Sequence, residues 1–153
     1  MSLRHLVRLS VPLIVPLGFL VGALAGCGGG DATVDGPVDY RVTGGFSGGG
    51  DGTALHIELD GTVTRTAGGG TQTATLDAVA LDDLHQQIVD ADLPGLSPVY
   101  SCNCADDLTY HLSVQLDGST RSVTADSLAP IPDRLKAVID TLQDIPQRPL
   151  GWH

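Results

Sequence analysis

Residues 108–116 read Leu-Thr-Tyr-His-Leu-Ser-Val-Gln-Leu, with an apolar side chain at every even position and a polar one at every odd position. Side chains alternate sides along an extended chain, so this run predicts a strand with one buried and one wet face. A sheet with a single buried face needs a cover, and amphipathic helices supply one. Asp117-Gly118 follows as a two-residue hairpin signal, and Thr120–Ala125 returns as the partner strand.

The same alternation recurs earlier. Val38, Tyr40 and Val42 are apolar among polar neighbours, and Leu55, Ile57 and Leu59 alternate with His56, Glu58 and Asp60. Asp60-Gly61 then turns the chain into Thr62–Thr66. Beyond Gly68-Gly69-Gly70, the β-branched stretch Thr71–Leu76 can extend the sheet. Asp77 is placed to cap a helix, with Leu76 and Leu81 as its hydrophobic staple. Leu81, Leu84, Ile88 and Ala91 recur at helical spacing, and Pro94-Gly95 stops the run. Residues 93–106 read as a loop. Ile131, Leu135, Val138 and Leu142 mark a second amphipathic helix, with Pro130 and Pro132 at its start. The order is ββ(β)α–ββα: an α+β domain over residues 38–145, an antiparallel sheet with two amphipathic helices on one face. Residues 146–153 are expected to form a loose tail.

Residues 1–26 have a different character. Arg4 and Arg8 precede an uncharged apolar run from Leu9 to Ala23, with no acidic residue before Asp31. The run is shorter than the roughly 20 residues a transmembrane helix needs, and Pro12 and Pro16 each remove a helix hydrogen bond. A charged start, a short apolar middle and small residues at the exit read as an export signal. The exit, Leu24-Ala25-Gly26-Cys27, matches the lipobox of bacterial lipoproteins. That resemblance implies cleavage between Gly26 and Cys27, lipidation of Cys27 and a membrane partner held through that lipid. Residues 27–37 are Gly-rich and read as a tether. Gly28 lacks the aspartate that lipoproteins of two-membrane bacteria carry for inner-membrane retention, so an outer-membrane address is implied for such a host.

Cleavage leaves about 127 of the 153 residues, one ordinary domain. It also removes two of the 8 basic residues while all 18 acidic ones remain. Such a surface repels phosphate backbones, so nucleic acid is not an expected partner. The charges are scattered in singles and pairs, as in a well-hydrated surface. Of three cysteines, one is assigned to lipid; Cys102 and Cys104 remain, separated by Asn103, in an oxidising compartment. A local disulfide pinning the loop is favoured over a metal site or a free dithiol, since Cys-x-Cys alone supplies too few ligands.

No metalloprotease, nucleophile-elbow, phosphate-loop or dinucleotide motif occurs, so no catalytic residue, cofactor or metal is expected. The Gly-rich segment 44–52 has no lysine and no following helix, which argues against phosphate binding. His56 and His111 fall on the polar faces of the two clearest strands. They could share a metal with Glu58, although solvated face residues are the commoner outcome.

The succession of segments resembles emfourin, a family of small bacterial inhibitors of thermolysin-like metallopeptidases. The likeness spans residues 38–143. It runs from the first strand into Gly44-Gly45-Phe46-Ser47-Gly48, through the helix Leu81–Leu93, the strand Tyr110–Val114 and the Asp117-Gly118 turn, to Ala129–Leu135. Its distinctive part is the Gly-Gly-Phe-x-Gly segment. The lipobox, the triple glycine at 68–70 and the Cys-x-Cys loop depart from the simple family form. The resemblance implies a non-catalytic domain that binds a thermolysin-like metallopeptidase, with Gly44, Gly45, Phe46 and Gly48 as the binding segment. Phe46 could present an aromatic anchor to an enzyme that favours bulky apolar side chains, or it could pack on the domain's own core. The 93–106 loop and the sheet edge are alternative contact surfaces.

Overall fold

The computed structural model describes residues 32–45, 52–102, 104–105 and 107–153. The export signal, Gly26, Cys27, Phe46 and Gly48 lie outside the described residues.

Among the described residues, seven strands and two α-helices follow one another as β1 (Val34–Gly44), β2 (Ala54–Ile57), β3 (Thr62–Ala67), β4 (Gly70–Thr75), α1 (Ala78–Asp90), β5 (Val99–Tyr100), β6 (Leu108–Leu116), β7 (Ser119–Asp126) and α2 (Asp133–Asp144). They build one sheet in the order β4-β3-β2-β1-β6-β7-β5. Every pairing is antiparallel except that of β5 with β7. The fold is the α+β arrangement that the alternating runs imply. β1 is central because it joins the two hairpin systems, pairing with β2 on one side and β6 on the other.

One face of the sheet is apolar. Val38 and Tyr40 of β1, Leu55 and Ile57 of β2, Val63 of β3, Leu112, Val114 and Leu116 of β6, and Val123 and Ala125 of β7 are all buried there. Leu81, Leu84 and Ile88 of α1 and Leu135, Val138, Ile139 and Leu142 of α2 close over them in a single cluster. Each such side chain contributes about 1.5–3 kcal/mol by leaving water, which makes this layer the main source of stability. Thr141 Oγ1 donates to Gln87 Oε1 at 2.7 Å and ties the two helices together. α1 starts where Asp77 accepts a hydrogen bond from the Ala80 amide at 2.8 Å.

Three segments differ from the sequence expectations. β1 begins at Val34, inside the stretch whose glycine content suggests tether. The register slips between Val34, opposite Leu116, and Val38, opposite Val114, so Gly36 and Pro37 occupy a bulge. A bulge accepts a proline that a regular ladder would reject. The 93–106 loop contains β5, whose Val99 and Tyr100 pair with Thr124 and Ala125. The tail is not loose: Ile145–Gln147 forms a 3-10 turn, Leu150 and Trp152 pack on the core, and His153 exchanges two backbone hydrogen bonds with Thr73, at 2.8 and 3.1 Å. The end of the tail thereby occupies backbone groups that β4, an edge strand, would otherwise leave open.

Candidate functional site

Among the described residues no element covers the polar face of the sheet, which holds an open groove of about 450 Å³ lined by residues of β1, β2, β3, β6 and β7. On its floor His56 stands between two carboxylates, with Nδ1 2.7 Å from Asp39 Oδ1 and Nε2 3.0 Å from Glu58 Oε1. The bond to Asp39, then that to Glu58, raises the imidazole pKa above its ordinary value, because both favour the charged ring.

The register keeps the two face histidines apart. His56 lies opposite Asp39, whereas His111 lies opposite Arg41, and β1 runs between them. Two strand spacings, about 9.5 Å, exceed what a shared metal allows. Thr43 Oγ1 lies 3.1 Å from His111 Nε2, and Thr124 Oγ1 lies 3.4 Å from Nδ1. With hydroxyls on both nitrogens and no carboxylate behind the ring, His111 lacks the orienting partner of a catalytic base. His85, on α1, is pushed below its ordinary pKa by partial burial, opposed by Asp82.

The second concentration of unusual residues lies at one end of the sheet. β1 ends at Gly44, which pairs with Leu108 at the start of β6. Gly44 and Gly45 adopt φ of +87° and +89°, and a Cβ on Gly44 would collide with the Asp107 carbonyl oxygen. The Gly45 amide donates to that same oxygen at 3.1 Å. On the returning side, the Val42 amide donates to Thr53 O at 2.9 Å. Gly44 and Gly45, which open the segment that carries the emfourin resemblance, therefore lie against Asp107, at the end of the Cys-x-Cys loop.

Two aspartates organise that loop. Asp107 Oδ1 accepts from the Leu108 amide at 2.8 Å and from Ser127 Oγ, while Oδ2 accepts from the Leu128 amide at 3.1 Å. Asp126 Oδ2 accepts from Ser101 Oγ at 2.7 Å and from the Cys102 amide at 3.2 Å, and Oδ1 accepts from Thr109 Oγ1 at 3.1 Å. These donors favour the ionised form, so both carboxyls titrate below their ordinary range, led by Ser127 for Asp107 and by Ser101 for Asp126. Cys102 and Cys104 are joined by a disulfide. Leu128, 69% exposed, and Leu108, 38% exposed, leave an apolar tip beside it.

Of the residues singled out in the sequence, the structure thus brings Gly44, Gly45, Cys102 and Cys104 to one end of the sheet. Asp107 and Asp126 escape a sequence reading. In sequence Asp107 is half of an acidic pair and Asp126 merely ends a strand; their roles depend on β6 and β7 pairing Thr109 with Asp126. No protein-family model matches the chain, and no characterised protein matches it at significant similarity.

Proposed function

We propose that this chain is a lipid-anchored, non-catalytic protein of the cell envelope whose loop end binds and inhibits a thermolysin-like metallopeptidase. The observation that carries the reading is the hydrogen bond from the Gly45 amide to Asp107 O, which sets Gly44 and Gly45, the start of the Gly-Gly-Phe-x-Gly segment, beside the residue that follows the Cys-x-Cys loop. On this reading the two segments that the sequence offers as alternative contacts act together, since Gly45 and Asp107 meet where both begin or end. The described chain starts at the opposite end of β1, roughly 30 Å away along eleven strand residues. A lipid on Cys27 leaves that surface facing away from the membrane.

Inhibition needs no reacting group, only a shaped and rigid contact. Aspartate-held hydrogen bonds and a short disulfide ring supply rigidity, and the exposed Leu108 and Leu128 supply apolar area. The test is titration of the full chain, carrying Cys27→Ser to prevent lipidation, against several thermolysin-like peptidases. Hydrolysis should fall in a saturable way at micromolar protein or below. Full activity of every enzyme at that concentration would reject the reading.

The groove on the polar face favours a second reading, an envelope interaction module that binds through the sheet. Asp39→Lys, on that face and five residues along β1 from Gly44, separates the two: it should leave peptidase inhibition intact and abolish binding only if the partner docks on the sheet.

A further inference from the structure

The sulfurs of Cys102 and Cys104 and a carboxylate oxygen of Asp107 lie within 4.8 Å of one another, a grouping of three potential metal ligands. Cys102 Sγ is 3.4 Å from Asp107 Oδ2. A tetrahedral zinc ion, with Zn–S near 2.3 Å and Zn–O near 2.0 Å, separates a sulfur and an oxygen ligand by about 3.5 Å. One edge of such a tetrahedron is therefore already in place. Two thiolate ligands require a separation of about 3.8 Å, which opening the disulfide allows.

We propose that the Cys-x-Cys loop is a redox-gated site for a thiophilic divalent cation, zinc in the first place, with Cys102, Cys104 and Asp107 as its protein ligands. A small-molecule dithiol reductant transfers two electrons and two protons to the disulfide, giving two thiols and the oxidised, cyclic form of the reductant. Zinc then binds both sulfurs as thiolates and releases those two protons. The fourth position is open to water or to a side chain from a partner. A small-molecule disulfide reverses this by thiol–disulfide exchange: it takes up the two electrons and two protons from solvent to become two thiols, the Cys102–Cys104 bond re-forms and the ion is expelled, so bridge and metal are alternative states of one loop.

The surroundings are those of a supported metal ligand. Asp107 Oδ1 is engaged by the Leu108 amide and Ser127 Oγ, which fixes the carboxylate while Oδ2 faces the sulfur. Outer hydrogen bonds of this kind orient ligands in established metal sites. Asp126 holds the other side of the loop through the Cys102 amide. Cys104 is exposed, so both reductant and ion can reach the pair.

The test uses the full chain carrying Cys27→Ser, which leaves Cys102 and Cys104 as its only thiols. Isothermal titration with Zn²⁺ is run on the oxidised protein and on the protein reduced anaerobically and freed of reductant. Cd²⁺ serves as an optical probe through its thiolate charge-transfer band. One equivalent should bind after reduction and none before it. Asp107→Asn should lower the affinity at least about tenfold, the lesser end of what even an outer-shell loss costs. Cys104→Ser should remove the Cd²⁺ band, and circular dichroism of each oxidised or substituted protein verifies that the domain remains folded. Equal binding in both redox states, no binding after reduction, or a folded Asp107→Asn protein with undiminished affinity would each overturn the assignment.

Discussion

Gly44 holds a backbone angle of +87° at the point where the Asp107 carbonyl fills the space a side chain would take. Gly44→Ala adds left-handed strain to that collision, and it is expected to destabilise the domain by at least about 1–2 kcal/mol, measured by urea unfolding. His56 carries a different prediction. Its folded pKa lies above the ordinary 6.5, so the carboxylates of Asp39 and Glu58 stabilise the protonated state. That contribution is fully present below the unfolded pKa and is lost as pH rises through the folded value. The stability difference between the parent chain and His56→Gln should therefore be visible at pH 5.5 and vanish by about pH 9. A proton-NMR titration of the ring should report a midpoint above that of a model imidazole. Glu58 is legible in the sequence as a neighbour of His56 on the same strand face, but Asp39 is not: only the antiparallel register, which sets it opposite His56, completes the pair of clamps.

At the scale of elements, legibility follows periodicity. β6 and the hairpin after it were readable because nine residues alternate without a fault, and the two helices because their apolar residues recur every three or four positions. β5 was not, since two residues carry no period and its pairing with β7 is a tertiary event. The start of β1 was masked by composition: Gly36-Pro37 resembles linker until Val34 is seen opposite Leu116. The tail looks loose in sequence for a similar reason, because what orders it is the open edge of β4, with His153 bound to Thr73 across 80 positions of the chain. Removing residues 149–153 should therefore lower the melting temperature and promote association through the freed β4 edge, with light scattering as the readout. Within the helical layer, Leu142→Ala, at a fully buried position, is expected to cost about 2–5 kcal/mol. Asp77→Ala should cost about 1 kcal/mol by removing the cap on the Ala80 amide.

For the molecule as a whole, the sheet divides labour between its faces and between its ends. One face carries the helical layer and the other is polar; one end holds the start of β1 and the other gathers Gly44, Gly45, the disulfide and two aspartates. The sequence shows the ingredients of the loop end, but not that those ingredients meet. Their meeting depends on Gly44 pairing with Leu108 across β1 and β6, a contact between residues 64 positions apart. On the proposed reading, Cys27→Ser should move the protein from the membrane to the soluble fraction of expressing cells, followed by immunoblot. Phe46→Ala should weaken peptidase inhibition about tenfold or more if that aromatic is the anchor, and an unchanged inhibition constant would move the anchor to Leu108 and Leu128.

The central position of β1 also has a mechanical side. On the proposed reading, a pull between a membrane-held N-terminus and a partner gripped at the loop end would act along this strand. Its hydrogen bonds to β2 and β6 lie across that direction, so they are sheared together instead of being unzipped singly. The strand that sets the reach of the protein is thus also placed to bear the load of holding on.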